Sequence, residues 1–169
     1  MRRPLGLWLC AVLCAATAGC PGPEGKAVVS SRPPRPVAVV DVIYIDALPV
    51  AMNWDEKPGP DGLEAQVHFY RMDQPLPVTV SGTLELLLFE GKVSAAAAQA
   101  NRPFHTWSFT TRELAGTLRK DLAGWGYAMR LAWGSPAPAA GMVTLIGRYQ
   151  ASGGEWVYSS PVAVATEAN

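Results

Sequence analysis

The sequence predicts an all-β chain, an antiparallel β-sandwich of about seven strands with one short helix. Three observations predict it. Apolar residues recur at a spacing of two in several segments, most strictly at Trp125, Tyr127, Met129, Leu131 and Trp133. That period puts alternate side chains on one face of a strand. Gly and Pro, 16 and 15 of 169 residues, punctuate these segments as frequent turns require. Only one segment carries a full helix-start signal. The length suits one domain with a real core. Fourteen basic side chains against 14 acidic ones exclude the basic surface that non-specific nucleic-acid binding needs.

The chain opens on Met1-Arg2-Arg3, followed by twelve uncharged residues from Leu5 to Ala16. As a helix these would rise about 18 Å, short of a ~30 Å hydrocarbon core. A basic start, a short apolar stretch and small residues before a cut describe a secretory signal peptide, residues 1–19. Pro21 to Val37 has five prolines and no apolar periodicity. It reads as a Pro-rich tether, residues 20–37 with Cys20, reaching about 50 Å if extended at ~3.1 Å per residue and holding the domain off the bilayer.

The β-sandwich domain, 38–169, follows. Val39 to Ile45 is a β-branched run. Leu63, Ala65, Val67 and Phe69 alternate with Glu64, Gln66, His68 and Tyr70, so one face is buried and one wet. Val78-Thr79-Val80 leads through a bend at Gly82 to a face of Leu84, Leu86 and Leu88. The run Ala95–Ala98 is too short to nucleate a helix alone and is expected as a mobile loop. Trp107 and Phe109 point inward from a short strand. Thr110-Thr111-Arg112-Glu113 has capping-box spacing, and Leu114 and Leu118 stand one turn apart, so about ten helical residues closed by Gly124 are expected over the end of the sandwich. Met142–Tyr149 and Trp156–Val164 complete the strands, joined by a hairpin at Ser152-Gly153-Gly154. Seven such strands suggest the layout of immunoglobulin-like or C2-like sandwiches.

Thr17-Ala18-Gly19-Cys20 resembles the lipobox of bacterial lipoproteins, in which small residues precede a Cys that receives diacylglycerol. The resemblance implies lipidation of Cys20, a mature chain from Cys20 to Asn169, and a membrane-lipid partner through that residue. Thr17 stands where the family has Leu, which leaves ordinary cleavage near Ala18-Gly19 as the alternative. Cysteine usage agrees, because Cys10 and Cys14 fall in the removed segment and leave Cys20 unpaired. Without Arg2 and Arg3 the chain keeps 12 basic against 14 acidic residues, a net charge near −2. Such a body has no charge-driven attraction to anionic lipid.

Functional candidates are sparse. His68 and His105 are the only histidines, and the reading is one exposed and one packed at the core's rim rather than a metal pair. No Cys-x-x-Cys, His-Glu-x-x-His, Gly-x-Ser-x-Gly or phosphate-loop spacing occurs, so no catalytic residue and no cofactor is assigned. Ser159 and Ser160 face opposite sides of a strand. Asp55, Glu56 and Asp61 are weak calcium candidates, but Lys57 sits among them and Pro58-Gly59-Pro60-Asp61-Gly62 is turn chemistry. Trp107, Trp125, Trp133 and Trp156 fall on apolar strand faces and read as core. Trp54, in the acidic loop, lacks a core partner and is the candidate contact residue.

Pro-Gly-Pro-Asp-Gly-Leu, Trp-x-Phe-Thr-x-x-Glu-Leu, Gly-Trp-Gly-Tyr and Tyr-Ser-Ser-Pro, spread over residues 54–161, resemble uncharacterised secreted bacterial lipoproteins with one sandwich domain. The expectation is a membrane-anchored cell-envelope lipoprotein facing periplasm or exterior, with the outer membrane favoured. Its role would be non-enzymatic, with an envelope protein or glycan as partner and no nucleic acid. The alternative is a polysaccharide- or ligand-binding module using Trp54 and adjacent loops.

Overall fold

The structure, a computed structural model, describes residues 32–55 and 57–167. Cys20, the segment expected as a signal peptide, the first part of the expected tether and Glu56 lie outside the described residues. The described residues from Arg32 to Glu167 form one compact unit. None of its helices is long and apolar enough to cross a membrane.

Two antiparallel sheets make the sandwich. The first contains β1 (Val42–Ala47), β2 (Gly62–Tyr70), β6 (Trp125–Ala132) and β5 (Leu118–Lys120), in the order β1-β2-β6-β5. The second contains β4 (His105–Phe109), β3 (Gly82–Glu90) and β7 (Met142–Ala151). Both β8 (Trp156–Tyr158) and β9 (Val162–Ala165) pair with β7. The expected alternation sets the packing. Leu63, Ala65, Val67 and Phe69 of β2 and Tyr127, Met129 and Leu131 of β6 point inward, where they meet Leu84, Leu86, Leu88, Val143, Leu145 and Tyr149. Fully burying one such side chain contributes about 1.5–3 kcal/mol.

Several expected elements change. Among the described residues nine strands replace seven, because one predicted strand divides in two and the end of the predicted helix becomes a strand. Pro161, which has no amide to donate, separates β8 from β9 where one strand was expected, while both remain on β7. The helix over the capping box, α2 (Thr111–Thr117), is shorter than ten residues. The box itself is present, with the Thr110 amide donating to Glu113 at 2.8 Å. After Thr117 the chain extends and pairs with β6, Leu118 opposite Tyr127. Gly124, at φ +131°, therefore closes a β5–β6 hairpin rather than the helix. Leu114 of α2 is fully buried in the main core. The expected mobile loop holds a short helix, α1 (Ala95–Ala100), whose start is capped by Ser94. A second apolar cluster explains it: Ala98 packs with Leu87, Phe89 and Ile146 on the outer face of the five-stranded sheet.

Val37, the last residue assigned to the tether, already bridges Val80. Its amide donates to the Thr79 carbonyl at 2.8 Å. The stretch up to buried Val40 is tied between the sheets, with Tyr149 Oη 3.4 Å from the Ala38 carbonyl.

Candidate functional site

The outer face of the four-stranded sheet collects the polar and aromatic groups that alternation sends away from the core. Register places them. Glu64 pairs with Arg130, Gln66 with Ala128 and with Asp46, and His68 with Tyr44. Over Gln66 and the small Ala128 lies an open trough of about 390 Å³, walled by Asp46, Leu48, Glu64, Gln66 and Arg130.

Trp54 lies at one end of this trough. Its Nε1 donates to Glu64 Oε1 at 3.1 Å, and the Arg130 guanidinium lies 4.1 Å from the ring centroid. The ring edge rests where a side chain at residue 62 would stand, since a Cβ on Gly62 would meet it at 2.8 Å. The candidate contact residue is thus half-buried and engaged on the sheet. Its loop explains the posture. Asp61 accepts the Trp54 amide at 2.5 Å, and Asp55 accepts the Lys57 amide at 3.0 Å and its ammonium at 2.7 Å. That hydrogen-bonded ion pair holds the Asp55 carboxyl below its usual range and raises Lys57. The calcium candidates Asp55 and Asp61 therefore serve the turn. No group of three metal-capable side chains occurs among the described residues.

His68 departs from its reading as exposed. Its parity is the expected outward one, yet only 4% of it is accessible. Gly126, across the strand gap on β6, leaves room for the ring to lie flat on the sheet. A Cβ there would come 2.5 Å from Nε2. Asp121 folds in from the β5–β6 turn, its Oδ2 3.1 Å from His68 Nε2 and 2.5 Å from Gln66 Nε2. A carboxylate only accepts, so this geometry places a proton on Nε2. Nδ1 is buried without a hydrogen-bond partner among the described residues. Burial raises the Tyr70 phenol, and the nearby Asp121 carboxylate adds to the shift. His105 lies on β4 of the other sheet, its ring 4.6 Å from Trp107. The two histidines are not brought together.

The tryptophans divide. Trp133 is buried and Trp107 packs against the core. Trp125 and Trp156, expected in the core, are half-buried and carry cations instead. Lys120 lies 5.9 Å from the Trp125 ring and Arg148 4.4 Å from the Trp156 ring. Ser159 is structural, accepting the Gly147 amide at 2.8 Å and donating to the Ser160 carbonyl at 2.9 Å. Sequence reasoning missed Asp46, Gln66, Asp121 and Arg130. The outward parity of Gln66 and Arg130 was readable, but the register that brings Asp46 beside them was not, and Asp121 fell in the segment expected as a helix and its closure.

Comparison with known proteins gives no match: no family model, curated protein or solved structure is similar to this chain.

Proposed function

We propose that the chain is a membrane-anchored cell-envelope lipoprotein with a non-enzymatic interaction role, lipidated on Cys20 and recognising its partner with the outer face of the four-stranded sheet. The observation that carries the interaction role is the trough over Ala128. Its walls offer the guanidinium of Arg130, the carboxylates of Asp46 and Glu64 and the amide of Gln66. Convergent polar groups over a small-residue floor suit recognition of a polar ligand. The anchor rests on the resemblance of Thr17-Ala18-Gly19-Cys20 to a lipobox. Cys20→Ser tests it: unprocessed precursor and no fatty-acid label are expected, and a label that persists overturns it.

A second reading, glycan binding, is favoured by the same walls, since sugar hydroxyls both donate and accept. Its chemistry moves from Trp54 to the trough, because Arg130 already covers one face of the Trp54 ring and Glu64 accepts from its Nε1. Titrating wall glycans against the protein by tryptophan fluorescence tests this. A response abolished by Ala128→Arg, with the melting point unchanged, supports glycan recognition. Silence across a broad glycan panel removes it.

A further inference from the structure

Isolated exposed apolar residues are ordinary on a soluble surface, whereas a cluster of them marks a contact. Seven large hydrophobic residues are exposed among the described residues, and five of them, Val39, Val42, Met72, Leu76 and Leu122, fall at one end of the sandwich. Register fixes that end. Val42 pairs with Tyr70, the last residue of β2, so the loop 71–77 leaves from the same place. Lys120 pairs with Trp125, so the turn 121–124 does too. The loop and turn abut, for a Cβ on Gly124 would meet Pro77 Cδ at 2.9 Å.

The tips are held outward. Asp121 Oδ1 accepts the amides of Ala123 and Gly124 at 2.8 and 2.9 Å, leaving Leu122 fully exposed. Asp41 accepts the Met72 amide at 2.8 Å. Met72 and Leu76 are 85% and 66% exposed. The chain from Arg32 enters at this end as well: the Thr79 hydroxyl donates to the Pro34 carbonyl, and the Asp41 amide to the Tyr70 carbonyl.

We infer that this end of the domain docks on a lipid bilayer, with Leu122, Leu76 and Met72 entering the headgroup region. The inference rests on the proposed lipidation of Cys20. From Cys20 to Arg32 the chain spans twelve residues, at most about 40 Å fully extended. The tether joins the domain at this end, which is therefore the part nearest the anchor along the chain, while the trough lies toward the other end of the sheet. Three apolar tips bind a bilayer weakly by themselves, but a short tether makes their insertion intramolecular. Docking would leave the full reach expected from the Pro-rich segment, about 50 Å, unused.

The test uses the acylated full-length protein in vesicles of phosphatidylcholine and phosphatidylglycerol. An environment-sensitive dye is placed on Ala123→Cys, or on Lys57→Cys in the distant acidic loop. Sedimentation with the vesicles reports the anchor, and the dye reports the tips. The dye at 123 is expected to shift to the blue and lose quenching by aqueous iodide, while the dye at 57 remains quenched. Met72→Asp, Leu76→Asp and Leu122→Asp together should abolish that shift without releasing the protein. A sedimenting protein whose dye at 123 stays as quenched as that at 57 overturns docking and leaves the anchor standing. Protection seen only in native membranes overturns it in favour of a protein partner. A protein that does not sediment overturns the anchor and the docking together.

Discussion

Gly126→Ala tests the burial of His68 most sharply. The new Cβ would lie 2.5 Å from His68 Nε2 and 2.7 Å from Cδ2, against ordinary carbon contacts of about 3.5–4.0 Å. The ring must move by roughly 1 Å or more, and neither neighbour yields easily. β6 is flanked by β2 and β5, and the ring is tied to Asp121 at 3.1 Å. Overpacking of this kind costs about 1–3 kcal/mol. A domain of about 140 residues unfolds with an entropy near 0.3 kcal/mol/K, so the melting point should fall by roughly 3–10 °C. His68→Ala removes the obstruction, and the methyl group introduced at position 126 then occupies part of the emptied space. The double variant should therefore be more stable than the summed single losses imply, by about 0.5–3 kcal/mol. Urea and thermal unfolding of the four proteins measure this cycle. A Gly126→Ala protein within about 0.5 kcal/mol of the parent, or strictly additive losses, would refute the packed histidine.

Leu114→Ala should destabilise by about 3–5 kcal/mol, because the side chain is fully buried between α2 and the sheets and leaves a cavity. A loss below about 1 kcal/mol in urea unfolding would show that α2 is not part of the wall. Burial, with a contribution from Tyr127, raises the Tyr149 phenol to about 12. Its neutral form is thus favoured by folding. That stability is fully present below pH ~10, the unfolded value, and is lost as pH rises toward 12. Alkaline unfolding should accompany its phenolate absorbance, and Tyr149→Phe should flatten the loss. At the acid side, bonds from the Thr110 amide and hydroxyl hold Glu113 below the usual carboxylate range. This contribution is present above the ordinary value and fades as pH falls through the lowered one. Thr110→Ala should reduce that acid-side slope and cost about 1 kcal/mol.

How far the sequence speaks depends on whether a feature is local. Alternation in β2 and β6 and the capping box at Thr110–Glu113 each lie within ten residues, and all appear in the structure. The features that differ depend on partners distant in the chain. The alanine run becomes a helix because Leu87, Phe89 and Ile146 need cover. Leu118 leaves the helix because β6 offers an edge. His68 is buried because a glycine 58 positions away faces it. Trp54 read as partnerless for the same reason: Glu64 and Arg130 meet only once β2 and β6 are in register. The trough was invisible because it is a property of three strands together.

That acyl chains on one sulfur keep this sandwich at a membrane is tested most directly by the intact mass of protein purified from native membranes. The predicted result is a chain from Cys20 to Asn169 heavier than its polypeptide by at least one diacylglyceryl group, with the excess absent from Cys20→Ser. Bare polypeptide of unmodified mass in the soluble fraction would contradict it.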